Sequence, residues 1–164
     1  MSSTDPKMWP DPADDAGDGP AFVGVDAEVI AANRAFYDAF EARDLDAMSD
    51  LWFHDDRVVC VHPGWTSLRG WGQVAASWAA MFAGPQELQF IVTAEHVVVT
   101  GDVAWVSCDE NLLTFGASGT VNALNVFERD TDRRWRLVAH HGAPVLESSD
   151  GDDDDGAGFD AYGD

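Results

Sequence analysis

Lysine is almost missing from this chain: Lys7 stands alone beside eight arginines, whereas Asp and Glu together number 30. The resulting net charge of -21 repels phosphate groups, which argues against nucleic acid and anionic membrane as partners. Cysteine is scarce too. Cys60 and Cys108 each sit in a strand-like apolar run without CxxC spacing, so buried, reduced thiols are expected rather than a disulfide or a metal site. No stretch stays apolar long enough to span a bilayer, and the first residues carry acids and prolines instead of a basic end followed by an apolar run. The expectation is a soluble, cytoplasmic protein. A glycine-rich phosphate loop between strand and helix, a Gly-x-Ser-x-Gly elbow and any internal repeat are also absent, which leaves P-loop and serine-hydrolase chemistry without support.

The sequence does contain apolar mass. Of 164 residues 46% are hydrophobic, with seven Trp, enough for the core of one domain. The charge is concentrated at the ends: residues 1–24 hold five Asp and one Lys, and residues 146–164 hold eight acids and no base. Both ends are rich in Asp, Gly, Pro and Ser and lack apolar periodicity. They are expected to be disordered tails around one domain at 25–145.

Within that domain the hydrophobic period is first helical and later two. Val29, Ala32, Phe36 and Phe40 behind a capping Asp26 predict a helix over about 26–42. Asp44, followed by Leu45, Met48 and Trp52, predicts a short second helix. Val58 to Val61 reads as a strand ended by Pro63-Gly64, and Trp71, Val74, Trp78 and Met81 line a third helix stopped by Gly84-Pro85. Strands follow at about 88–100, 103–115, 120–129 and 134–142, with turns at Thr100-Gly101-Asp102, Gly116 to Gly119 and Asp130 to Arg133. Four strands so connected pair as an antiparallel meander. Three helices on one side of it make an α+β cone, a curved antiparallel or mixed sheet that encloses a pocket.

Polar residues inside strands are the first candidates for a site. Along 103–115 one face carries Val103, Trp105, Ser107, Asp109, Asn111 and Leu113, and the other Ala104, Val106, Cys108, Glu110 and Leu112. Which face looks inward is open from alternation alone, and two apolar-rich faces imply that both are covered, one of them by a partner subunit. Asn122 and Asn125 lie mid-strand on opposite faces, where asparagine is disfavoured. His140 and His141 are consecutive, so they point to opposite sides and cannot ligate one metal together. His54-Asp55-Asp56 reads as a solvated turn, and no metal is assigned.

The Arg43-Asp44-Leu45-Asp46 corner, His62-Pro63-Gly64 followed by Arg69-Gly70 and a helix, the Gly101-Asp102-Val103-Ala104-Trp105 hairpin and the ending from Trp135 to Pro144 together resemble the SnoaL-like branch of the nuclear transport factor 2-like superfamily. The likeness covers about residues 26–145. It implies the cone fold, with functions ranging over isomerases, dehydratases, cyclases, epoxide hydrolases and non-catalytic association domains. Ketosteroid isomerase-like relatives place a proton-abstracting Asp where this chain has His62, and imidazole suits that role near neutrality. Their enolate-holding tyrosine would fall near Phe36, which has no donor, while Tyr37 points about 100° away on the helix. That departure speaks against steroid isomerisation by their route.

The resemblance also implies that the second histidine of the pair, His141, lines the pocket. The expected catalytic set is therefore His62 with Asp109 or His141, and the ligand-binding set Phe36, Trp65, Asn111 and Asn125. The reaction is cofactor-free acid-base chemistry, an isomerisation, dehydration or cyclisation of a small apolar carbonyl compound. A non-catalytic homodimeric ligand-binding or association module is the alternative, and a homodimer is expected in either case.

Overall fold

The computed structural model describes residues 24–85, 88–114 and 117–146; the expected disordered ends lie almost wholly outside them. Three helices come first, α1 (Val25–Ala42), α2 (Leu45–Leu51) and α3 (Trp71–Ala83), with two short strands, β1 (Val59–Val61) and β2 (Leu68–Arg69), between α2 and α3. The chain then runs through β3 (Gln89–Thr100), β4 (Val103–Thr114), β5 (Ala117–Arg129) and β6 (Trp135–Pro144). The fold is α+β, a six-stranded mixed sheet in the order β2-β1-β6-β5-β4-β3 with helices packed on one face. The meander from β3 to β6 pairs antiparallel as its short connections require, and β1 joins β6 in parallel. Among the described residues no helix is long and apolar enough to cross a membrane.

Local chemistry accounts for most boundaries. Asp44 caps α2, its carboxylate accepting from the Ala47 amide at 2.9 Å. Asp26, expected to cap α1, instead lies in its first turn beside Glu28 while Gly24 holds the cap position; both acids there still complement the positive helix end. Gly101, at φ 62°, makes the two-residue turn between β3 and β4. Asp130 organises the last turn by accepting from the amides of Asp132 and Arg134. β5 begins three residues earlier than its sequence pattern indicates, because Ala117 to Gly119 pair with β4 despite the glycine. β2 escapes notice in the sequence, since two residues are too few to show a period.

Two register shifts bend the sheet, one between Thr93 and His96 with Ala94 at φ 52°, the other opposite Val126 and Phe127. Such bulges increase local twist and curl a sheet toward its packed face. The core lies in that concavity. Phe36, Trp78, Phe40 and Phe82 meet edge-to-face or tilted, with centroids 5.2 to 6.4 Å apart, and Trp52, Met48, Val74, Val106 and Leu137 fill around them. Trp78 is thus core, as its helical spacing indicates, and Trp71 packs at the margin, stacked on His54 at 4.3 Å.

Candidate functional site

β4 shows which face is inside. Ala104, Val106, Cys108 and Glu110 are buried, whereas Val103 and Leu113 are exposed and Asp109 and Asn111 are only partly covered. The inward acid is therefore Glu110. Asp109 faces outward and accepts from Asn122 on β5 at 3.0 Å. Asn111 also lies outside, bonded to Thr93 and Thr120 at 2.9 and 3.0 Å. Neither reaches the concave side.

β6 corrects the choice between the two histidines. From Trp135 and Leu137, regular alternation would bury Ala139 and His141, but Val138 is the extra residue of the bulge opposite β5, and the phase inverts. His140 is buried and His141 is exposed. Of the expected site residues the structure brings His62, Phe36 and Asn125 into the interior and sets Trp65 at its edge, while Asp109, Asn111 and His141 belong to the outer face.

The interior polar groups form a chain. His140 Nδ1 lies 2.6 Å from Asn125 Oδ1; that oxygen only accepts, so His140 carries its proton on Nδ1. Asn125 Nδ2 donates to Asn33 Oδ1 at 2.8 Å and to the Tyr37 hydroxyl at 3.3 Å. Asn33 in turn donates to Glu95 at 3.3 Å, and Tyr37 donates to Glu110 Oε1 at 2.8 Å with the Cys108 thiol 3.2 Å from its oxygen. Tyr37 and Phe36 both face inward because the buried arc of α1, Val29, Ile30, Asn33, Phe36, Tyr37 and Ala39, is wide enough for neighbours 100° apart. The sequence signal for this chain was a set of polar residues, Asn33, Tyr37, Glu110 and His140, in otherwise apolar stripes.

His62 stands nearby on its own support. Gly64 at φ 81° allows the turn in which the Trp65 amide donates to the His62 carbonyl. Gly142 lets Pro63 lie against β6, since a Cβ there would meet Pro63 Cγ at 3.1 Å. His62 Nε2 is 2.9 Å from Ser77 Oγ on α3. The Ser77 hydroxyl gives its own proton to the Val74 carbonyl at 2.7 Å, so Nε2 is the donor and Nδ1 is the unprotonated nitrogen, with the Cys60 sulfur 3.8 Å away as its weak hydrogen-bond partner. The ring is walled by Trp78 and Trp65, at 4.7 and 5.1 Å between centroids, and lies 6.3 Å from His140.

Burial sets the electrostatics. Loss of water pulls His62 down to about 4 and His140 to about 3, the latter helped by the neighbouring His62 and His141. Both rings are neutral at pH 7. The same loss of water pushes Glu110 up to about 7 against the lowering effect of the Tyr37 hydrogen bond, and it raises the Tyr37 phenol, with Glu110 adding to the effect. The two thiols rise by burial as well, Cys60 to about 12 and Cys108 to about 11, as suits the reduced, inert cysteines the sequence indicates.

A cavity of about 350 Å³ opens at the edge of this interior, between the end of α1, the end of α3 and the loop after His62. Phe40, Trp65, Met81, Phe82 and Leu88 supply most of its wall, and Arg43 borders it. His62 and the polar chain do not line it. Trp65, 50% exposed, and Phe40 stand between the cavity and the buried groups, so the cone holds packed aromatic rings at its centre and open space at its rim.

Comparison with known proteins fits this architecture. A structure from Streptomyces avermitilis, a candidate dehydratase of the NTF2-like family, is 39% identical with a TM-score of 0.69, over 74% of this chain and 96% of that one. A candidate calcium/calmodulin-dependent protein kinase type II association domain from Thiobacillus denitrificans is 41% identical with a TM-score of 0.62, over 71% and 94% of the two chains. The F-box protein SKIP8 of Arabidopsis thaliana is 32% identical across 118 residues, 72% of this chain, and the chain spans about half the length of that relative. The family model described as a SnoaL-like domain matches residues 29–147. With that match on the cone and its inward polar groups, the chain belongs to the SnoaL-like domain family.

Proposed function

We propose that this protein binds a small apolar carbonyl compound at the rim of the cone and carries out cofactor-free proton transfer on it, an isomerisation, dehydration or cyclisation. The observation that supports this reading is the apolar cavity whose wall, Trp65, is also the wall of His62. In this reading Trp65 swings out on its Pro-Gly loop and the ligand's reacting end meets His62, with Phe36 and Asn125 behind it.

A proton-transfer group works best when its pKa lies near the operating pH. His62, at about 4, serves as a neutral imidazole that orients the ligand, while Glu110, at about 7, takes and returns the proton through the Tyr37 hydroxyl that joins it to Asn125 behind the ligand. The partner acid thereby moves from Asp109 to its neighbour. The working domain is taken as residues 25–145, with the acidic ends as appendages.

Native mass spectrometry against a panel of apolar carbonyl compounds tests the binding half. At least one is expected to give a one-to-one adduct that disappears in Ala80→Trp, which fills the cavity from an exposed helix position. For the catalytic half, solvent deuterium exchange at the carbon next to that compound's carbonyl should slow by roughly 10²–10⁴-fold in Glu110→Gln. No adduct with any compound sinks the binding assignment; an adduct without exchange leaves a binder and removes the enzyme.

A homodimer through the outer sheet face is the accompanying assignment. Ile91, Leu113 and Leu124 are 53%, 44% and 42% exposed there, interleaved with the hydrogen-bonded Asn111 and Asp109, and such a mix of apolar and satisfied polar groups is the composition of a subunit interface. A monomer in sedimentation at micromolar concentration contradicts it.

A further inference from the structure

Arg43 ends α1 with a left-handed backbone, φ 54°, and its guanidinium reaches across to α3, where Nη2 donates to the carbonyls of Phe82 and Gly84. Those carbonyls are the negative end of the α3 dipole, and the contact covers them. They are neutral acceptors, so the positive charge is not cancelled. Six of the other seven arginines, Arg34, Arg57, Arg129, Arg133, Arg134 and Arg136, each sit within ion-pair distance of a carboxylate, and the remaining one, exposed Arg69, lies away from the cavity. Among the described residues no carboxylate comes that close to Arg43. Asp38 and Glu41 border a second depression that Arg43 also lines, but Glu41 is committed to the Phe90 amide at 2.6 Å.

A guanidinium has five N–H donors in a fixed fork, and two carbonyls occupy one nitrogen only. The remaining edge belongs to the one charged side chain that, among the described residues, borders the apolar cavity. Resting on the small-molecule reading of that cavity, we infer that its ligand is an apolar monocarboxylate. The hydrocarbon body lies among Phe40, Trp65, Met81, Phe82 and Leu88, and the carboxylate pairs with Arg43. Poorly hydrated walls strengthen such a pair relative to open water, and this local attraction has to outweigh the long-range repulsion that a chain of net charge -21 exerts on an anion. The charge thus acts as the selector within a site whose walls only measure size.

Calorimetric titration with 4-phenylbutyrate and with 4-phenylbutanol, the same body without the charge, tests this. The carboxylate is expected to bind roughly tenfold tighter than the alcohol, the margin by which a charge-assisted hydrogen bond exceeds a neutral one, and the margin should shrink in molar salt. Arg43→Gln keeps an amide donor for the α3 carbonyls and removes the charge, so the ratio should fall to about one while the alcohol's affinity holds; a merely structural role would weaken both ligands together. Should that variant fail to fold, Ala80→Glu introduces a negative charge at the cavity wall and should weaken the carboxylate selectively. Equal affinities in the wild type, or a ratio that survives both variants, overturns the carboxylate inference and leaves the cavity assignment standing. No binding of either probe to the wild type, together with no adduct in the carbonyl panel, overturns both.

Discussion

Asp109 and Glu110 are neighbours in one strand and differ by a methylene, yet they inhabit different media. Asp109 shares its carboxylate with Asn122 at the partly covered outer face, while Glu110 is 5% exposed, tied to a buried phenol, and pushed up to about 7. His141 and His140 repeat the contrast, as do Asn122 and Asn125. The same residue types carry hydration on one side of the sheet and an interior hydrogen-bond chain on the other. Side-chain chemistry here is decided by the parity of a position in its strand, because only the concave face withdraws a group from water.

The widest separation between the faces should appear in plain stability. Trp78 is fully buried between Phe36, Phe40, Phe82 and His62, and Trp78→Ala is expected to cost about 3–5 kcal/mol in urea unfolding through lost burial and the cavity left behind. Leu124→Ala on the outer face should cost under about 1 kcal/mol in the monomer. Comparable losses in the two variants would mean that the outer face is as thoroughly covered as the core.

The second separation is in pH dependence. A carboxyl raised from 4.5 to about 7 by folding holds its proton in the native state where the unfolded chain has released it. Its favourable contribution is complete below the unfolded pKa and is lost as pH climbs from about 4.5 to 7. Glu110→Gln has no proton to lose, so its stability relative to the wild type should grow over that window, by about 3 kcal/mol at most, and level off above it. Asp109→Asn, tested at pH 7, should stay within about 0.5 kcal/mol of the wild type. A flat difference profile for Glu110→Gln would place that carboxylate in contact with water.

These contrasts explain what could be read in advance. The helices, the meander and the cone were legible because period, capping by Asp44 and the turns at Gly101 and Asp130 are local signals. Core status for Trp78 was equally plain. Alternation sorted β4 into two sets but carried no sign, since both sets mix apolar residues with one acid; the inward set is fixed only by the packing of α1 across the sheet. In β6 the choice of His141 rests on the resemblance, and alternation could not have corrected it. A bulge at Val138 leaves no mark in composition, and one extra residue exchanges every side chain beyond it. The candidate site was thus half visible: His62, Phe36 and Asn125, which lie inside, and Trp65 at the edge stood out, whereas the inward placement of Glu110, His140, Tyr37 and Asn33 needed the register.

The histidine pair gives the smallest and sharpest separation. His140 Nδ1 donates to Asn125 Oδ1 at 2.6 Å inside the core, so His140→Gln at pH 7 leaves a buried amide oxygen poorly satisfied and should cost about 1–3 kcal/mol. His141→Gln changes an exposed side chain and should stay within about 0.5 kcal/mol. Acid then separates the pair further. Folding lowers His140 from 6.5 to about 3, so the native state refuses a proton that the unfolded chain takes up below about 6.5, and the wild type loses stability as pH falls from there toward 3. Glutamine does not titrate and escapes that loss. The cost of His140→Gln should therefore shrink steadily between pH 6.5 and 4, in melts followed by near-ultraviolet circular dichroism. A cost that holds constant across that range would show the ring already reachable by water, and a substantial cost for His141→Gln instead would put the register of β6 one residue away from the bulged pairing on which the inward placement of His140 depends.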